Sequence, residues 1–154
     1  MSTVGVTDKI RALARDAPTV RLALSLHAPT QQLRERIVPS AKAYKLPALL
    51  AAVRDYVEVT GNRVFVEYVM LRGVNDEAEH AQQLAAAVAD LPVTVNLIPW
   101  NPVLSPDISF EAPGLERVRY PDRLLSFLPM GRQRRRVRSQ DPERACGCCR
   151  AHSW

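Results

Sequence analysis

Between Thr7 and Trp100 the sequence alternates two hydrophobic patterns, and this alternation narrows the possible folds more than any other feature. "VRLALSL" (20–26) and "VTVNLIPW" (93–100) are short, nearly continuous apolar runs. "RVFVEYVML" (63–71) is the clearest strand, rich in β-branched and aromatic residues. Helical periodicity fills the intervals between them. Strands that are apolar on both faces need cover on both, so strands alternating with helices imply a parallel sheet covered by helices. The expected fold class is α/β, with parallel strands near 20–26, 64–71 and 93–99.

Local signals mark the helix ends. Thr7 is expected to cap "DKIRALAR", whose Ile10, Leu13 and Ala14 share a face. Thr30 caps "QQLRERI", with Leu33 and Ile37 on one side. Leu46, Leu49, Leu50, Val53 and Val57 repeat at helical spacing, with Pro47 in the first turn and Gly61-Asn62 at the end. In "GVNDEAEHAQQLAAAVADL", Asp76 as the cap places Glu79 at the capping-box position. The helices near 45–60 and 77–90 are expected to pack on one side of the sheet. Beyond Pro102 the pattern decays into a Pro-rich connection, then "LERVRYPDRLLSFL", a helix broken at Pro121, then a stretch poor in apolar residues. The expected division is a core over 1–103 and a divergent Pro/Arg-rich tail over 104–154.

Composition sets further bounds. The 154 residues suffice for one domain with a real core. No apolar run approaches bilayer length, and the first residues lack the pattern of a secretory signal, so an intracellular protein with no membrane partner is expected. The cysteines cluster in "ACGCCR" (Cys146, Cys148, Cys149) with none before them, which is no disulfide framework. Residues 1–110 hold 11 Lys/Arg and 11 Asp/Glu, whereas the rest hold 10 Arg and 5 acids, so the whole +5 excess lies in the tail. Clustered guanidinium groups suit a polyanion such as RNA, and equally a solvated basic tail.

In parallel α/β folds ligands collect at the carboxyl ends of the strands. Ser25 and His27 end one strand, Ser2 and Thr3 precede the first helix, Glu67 and Asn96 lie within strands, and Asn101 follows the last. Each alone has a plainer and more frequent reading: a Ser or Asn at a strand end as a turn former, a histidine before a helix as a satisfied surface or core residue.

Taken together, "STVG", "LALSLHAPTQQLRERIVP", "VFVEYVMLRGVNDEAEHA" and "VNLIPWNP" resemble the radical S-adenosylmethionine RNA methyltransferases. These methylate carbon 2 of an adenine in 23S ribosomal RNA and in some transfer RNAs. The resemblance covers about residues 2–103. It implies a six-stranded partial (β/α) barrel, TIM-like, of which this chain carries the last four strands. It also implies S-adenosylmethionine as cofactor and a 4Fe-4S cluster in the complete family member. Ser2 in "STVG", the segment Ser25, Leu26 and His27, and Asn101 in "WNP" match the family's cofactor contacts. Neutral hydroxyl, imidazole and amide groups suit such a ligand, because they hydrogen-bond it without adding charge. Ser2, Ser25, His27 and Asn101 are then expected around one concavity, with His27 within ~15 Å of Asn101. Cys146 in "RACGCC" matches the family's methyl-carrying cysteine, a role suited to a nucleophilic thiolate.

Departures from the family shape the functional expectation. The cluster cysteines, spaced C-x-x-x-C-x-x-C, the Gly-Glu cofactor motif, the upstream acid and the second catalytic cysteine have no counterpart here. The tail differs from the family's between Gly114 and Gly131, and "ACGCCRAHSW" stands where the family has "ACGQL". The chain is therefore expected to be a fragment of an RNA methyltransferase, inactive alone, monomeric and cytoplasmic. A plastid location is the alternative, on wording similar to plastid and cyanobacterial members. The competing reading is a non-catalytic RNA-binding or scaffold remnant. A zinc site on Cys146, Cys148, Cys149 and His152 would use C-x-C-C-x-x-H, which is not a usual zinc spacing.

Overall fold

The computed structural model describes residues 1–101 and 110–114. In chain order the elements are β1 (Ser2–Thr3), α1 (Thr7–Asp16), β2 (Ala23–Ser25), α2 (Gln31–Ile37), a 3-10 turn (Pro39–Lys42), α3 (Leu46–Thr60), β3 (Val64–Met70), α4 (Ala78–Ala87) and β4 (Val93–Pro99). The four strands form one sheet in the order β1-β2-β3-β4, and every neighbouring pair is parallel. An order that never reverses matters. Right-handed crossovers between successive strands then put every connecting helix on the same face, the winding of a barrel rather than of a doubly wound sheet.

Buried positions follow that winding. Ile10 and Ala14 of α1, Leu49, Val53 and Tyr56 of α3, and Leu84 and Ala85 of α4 share one core with Leu24, Val64, Val66, Tyr68, Val93, Val95 and Leu97 of the sheet. In β3 and β4 buried and half-buried residues alternate, so the strands are not equally buried on both faces. Val64, Val66, Tyr68 and Met70 point to the helices, while Phe65, Glu67 and Val69 point the other way. The run "VFVEYVM" looks continuous because the second face is itself largely apolar, with Glu67 as its polar interruption.

Several end signals behave as expected. Thr30 accepts a hydrogen bond from Leu33 N, Pro47 occupies the first turn of α3, and Gly61 closes that helix at φ 67. Asn62 then ties the helix end back through Nδ2 to Pro18 O, 2.7 Å away. Two caps are corrected. α1 is capped at Val6 with no side-chain bond, and Thr7 is its first helical residue. α4 is capped by Glu77, which forms a reciprocal box with His80. Asp76 accepts instead from Gly73 N at 2.8 Å, in the turn before the helix, so Glu79 falls one position short of the box position, which His80 takes. The strand expected over 20–26 pairs only over 23–25, and the sharp turn of the backbone at His27 ends it on the carboxyl side.

The broken helix, the tail arginines and Cys146, Cys148, Cys149 and His152 lie outside the described residues.

Candidate functional site

β2 ends on a conformational event. The N–H groups of both Leu26 and His27 donate to Glu67 O, at 3.1 and 3.4 Å, and one carbonyl serving two successive donors forces the chain out of the ladder. His27 turns with φ 59, and among the described residues it alone, glycine apart, has positive φ. A β-carbon makes that region unfavourable by about 1–2 kcal/mol, so the surroundings must hold it there.

Two groups do so. Val69 N–H donates to His27 Nδ1 at 3.2 Å, and Asn75 Nδ2 donates to His27 O at 2.8 Å. Asn75 is almost fully buried, and it also donates to Val69 O and accepts from Leu71 N. One amide thus stitches the turn after β2 to the end of β3. The Tyr68 hydroxyl adds a bond to Asn75 O, and burial, with the Asp76 carboxylate second, pushes its pKa up.

The His27 ring is neutral. Burial, with the Arg34 charge second, pulls its pKa down to about 4. Because Nδ1 accepts from Val69, the proton of the neutral ring resides on Nε2, which makes that atom a donor.

Arg34 is completely buried, and its three side-chain bonds go to backbone carbonyls: Nε to Leu26 O at 3.2 Å, Nη1 to Tyr44 O at 3.3 Å and Nη2 to Val4 O at 2.6 Å. It therefore joins the "STVG" loop to the end of β2. Burial lowers its pKa, yet a guanidinium stays charged, so a positive charge stands behind Ser25, Leu26 and His27. Gly5 makes room beside it: a β-carbon there would meet Leu49 Cδ2 at 2.9 Å, and φ is +111°.

The face of the sheet turned away from the helices carries a polar row. Ser25 pairs with Glu67 and Glu67 with Asn96, so these three side chains sit side by side on adjacent strands. Asn96 Nδ2 donates to Glu67 Oε2 at 2.6 Å. Two buried polar atoms nearby, Asn96 Oδ1 and Trp100 Nε1, have no hydrogen-bond partner. Trp100 N still donates to Met70 O, which carries the ladder past β4 and sets exposed Asn101 at its carboxyl end. The Trp100 ring meets Phe110 edge-on, with centroids 5.8 Å apart.

Ser25, Leu26, His27 and Asn101 thus lie at carboxyl ends of strands. Ser2 pairs with Ala23, on the row of Phe65 and Thr94, two residues below the Ser25 row. Leu26 is packed into the core with its N–H and carbonyl already engaged, so it contributes mainly by fixing its neighbours. Sequence reasoning missed Arg34 and Asn75. The available hints were a charged residue beside the apolar stripe of α2, and an asparagine in a turn.

The polar groups fit a nucleoside-type cofactor: a neutral imidazole donor, a hydroxyl, a carboxylate and a buried acceptor awaiting a donor. They do not fit an iron–sulfur cluster. Among the described residues no group of three His, Cys, Asp or Glu could hold a metal. Nor, among them, is any helix long and apolar enough to cross a membrane.

No protein-family model matches the chain. It is 43% identical over 98% of its length to the probable dual-specificity RNA methyltransferase RlmN of Nostoc punctiforme, covering 41% of that protein. To the protein of the same name from Thermotoga maritima it is 43% identical over 96% of its length, covering 42%. The chain therefore spans about two fifths of the length of the curated relatives it matches. A crystal structure of a radical SAM methyltransferase from Sphaerobacter thermophilus superposes with a TM-score of 0.80 at 40% identity, covering 89% of this chain and 39% of that one. A domain of a pyruvate-formate lyase-activating enzyme from Bacteroides vulgatus shares the fold at 14% identity and TM-score 0.61.

Proposed function

From the premise that the chain belongs to the radical S-adenosylmethionine RNA methyltransferase family, we propose that it is that family's cofactor-binding C-terminal portion. In the assembled enzyme it would serve methylation of adenine carbon 2 in ribosomal and transfer RNA, in the cytoplasm. Ser2, Ser25, His27 and Asn101 are the proposed cofactor contacts, with buried Leu26 fixing the segment between two of them, and Cys146 the methyl carrier. The observation that carries this reading is His27: held in a strained turn, kept neutral, and presenting Nε2–H at the carboxyl end of β2.

These residues bind and orient. His27 Nε2–H donates to an acceptor of the cofactor, Ser25 Oγ donates or accepts beside it, and the Asn101 amide reaches in from the end of β4. Arg34 and Asn75 hold the two loops in register, so the contacts are preorganised before the ligand arrives. Bound S-adenosylmethionine supplies the methyl group and the radical precursor. Residues 1–145 contain no cysteine, so the cluster's thiolate ligands are not among them.

The test has two parts. Equilibrium dialysis of the purified chain with radiolabelled S-adenosylmethionine should show binding that His27→Ala weakens. Incubation with unmodified ribosomal RNA, iron, sulfide and a reductant should leave adenine carbon 2 unlabelled. Label there would overturn the dependence on residues beyond this chain. No cofactor binding would favour the RNA-binding remnant.

A further inference from the structure

We propose that the excursion between β2 and α3, residues 31–45, is the surface on which phosphates of the RNA substrate seat, with Arg36 and Lys42 as the contacts. This rests on the RNA methyltransferase reading above and gives that reading a docking face.

Charge distribution is the first argument. Residues 1–66 hold 10 Lys/Arg against 5 Asp/Glu, whereas residues 67–101 hold 1 against 5. Strand order follows chain order, so a division along the sequence is also a division across the sheet. The β1–β2 side is basic and the β3–β4 side acidic. A polyanion is drawn to the first side and repelled from the second.

Location is the second. α1 and α3 hold four cations and four acids between them, so their flank is neutral. Arg21 and Arg63 precede β2 and β3, which puts them at the amino edge of the sheet, away from Ser25 and His27. Arg34 is buried. The basic excess that remains exposed is Arg36, Lys42 and Lys45, with Glu35 as the one acid of the excursion. The excursion starts four residues after His27, at the carboxyl edge that a target base must reach.

Availability is the third. On α2, Leu33 and Arg34 face inward, while Gln32 and Arg36, one turn apart, are exposed. Lys42 ends the 3-10 turn and is also exposed. Neither Arg36 nor Lys42 forms an ion pair with a described residue, whereas Lys45 Nζ lies 2.6 Å from Glu35 Oε1. The backbone beneath them is fixed. Gln31 donates to Ala41 O at 3.0 Å and accepts from Leu46 N at 2.6 Å, and Arg34 donates to Tyr44 O at 3.3 Å. Uncommitted cations on a fixed frame suit phosphates, which set position and affinity without reading a base.

The experiment follows binding of a labelled, unmodified ribosomal RNA hairpin to the full chain by fluorescence anisotropy across a salt series. The double variant Arg36→Gln, Lys42→Gln is compared with Lys9→Gln, Arg15→Gln, which removes the same charge from exposed positions on α1. The arginines beyond residue 110 are common to both, so their contribution cancels. The excursion pair should weaken binding roughly tenfold and flatten the slope of log affinity against log salt by about 1.5, with its urea midpoint unchanged. Arg36→Lys, Lys42→Arg should keep the affinity, and the α1 pair should lose less than about threefold. Equal losses from the two Gln pairs would overturn the proposal, by reducing it to net charge. No loss from the excursion pair would overturn it too, by assigning the RNA contact elsewhere in the chain, and so would a lowered urea midpoint, by making the two residues structural. Failure of the unaltered chain to bind the hairpin would instead remove the RNA reading of this chain, and this surface with it.

Discussion

Replacing Asn75 by alanine should damage the molecule more than any other single amide change among the described residues. The side chain is 2% exposed and makes three bonds: Oδ1 accepts from Leu71 N at 2.6 Å, and Nδ2 donates to Val69 O at 2.7 Å and His27 O at 2.8 Å. Alanine leaves all three backbone groups without that partner. A buried donor so orphaned costs about 1–3 kcal/mol, and Leu71 N–H bears this in full. Each of the two carbonyls keeps a second lone pair and recovers part of its loss from water, so the sum is about 3 kcal/mol. That is a large share of the roughly 5–15 kcal/mol by which a domain is usually stable. In urea, with a slope of about 2 kcal/mol/M, the midpoint should fall by about 1.5 M with the slope unchanged. Because His27 loses its carbonyl anchor while held at positive φ, cofactor affinity should fall as well. A midpoint shift below about 0.5 M would refute the reasoning, since it would mean these groups find other partners or were never desolvated.

Three further outcomes follow from the same geometry. His27 has a folded pKa of about 4, below its unfolded value, so the unfolded chain takes up the proton first as pH falls. The stability due to neutral His27 is thus complete above about pH 6.5 and is lost on descent toward pH 4, by at most about 3 kcal/mol; the difference between the unaltered chain and His27→Gln in urea titrations at several pH values isolates it, and parallel pH curves would contradict it. Gly5→Ala places a β-carbon 2.9 Å from Leu49 Cδ2 at φ +111°, and should cost about 2–4 kcal/mol in thermal unfolding; a loss under about 1 kcal/mol would show that Leu49 yields freely. Thr30→Ala removes the bond to Leu33 N and should cost about 1 kcal/mol, with Thr30→Ser retaining most of it.

The sequence by itself determined the class of fold. Helical spacing in 46–60, the apolar runs at 64–70 and 93–99, and the punctuation by Thr30, Pro47 and Gly61 each act over a few residues, so local pattern suffices to read them. It also marked Ser25 and His27, because a hydroxyl and an imidazole at the end of an apolar run are locally conspicuous. Tertiary structure decided what those residues can do. The neutral state of His27 depends on burial and on Arg34, and its turn on Asn75, 48 residues away in the chain. The pairing of Ser25, Glu67 and Asn96 exists only through register across three strands. Arg34 looks like one more solvated charge in "QQLRERI", and becomes a buried clamp only because Val4, Leu26 and Tyr44 converge on it. Capping at α4 went to Glu77 rather than Asp76 for a related reason: the turn at Gly73 engaged the Asp76 carboxylate, a competition between neighbouring acceptors that only the folded backbone resolves.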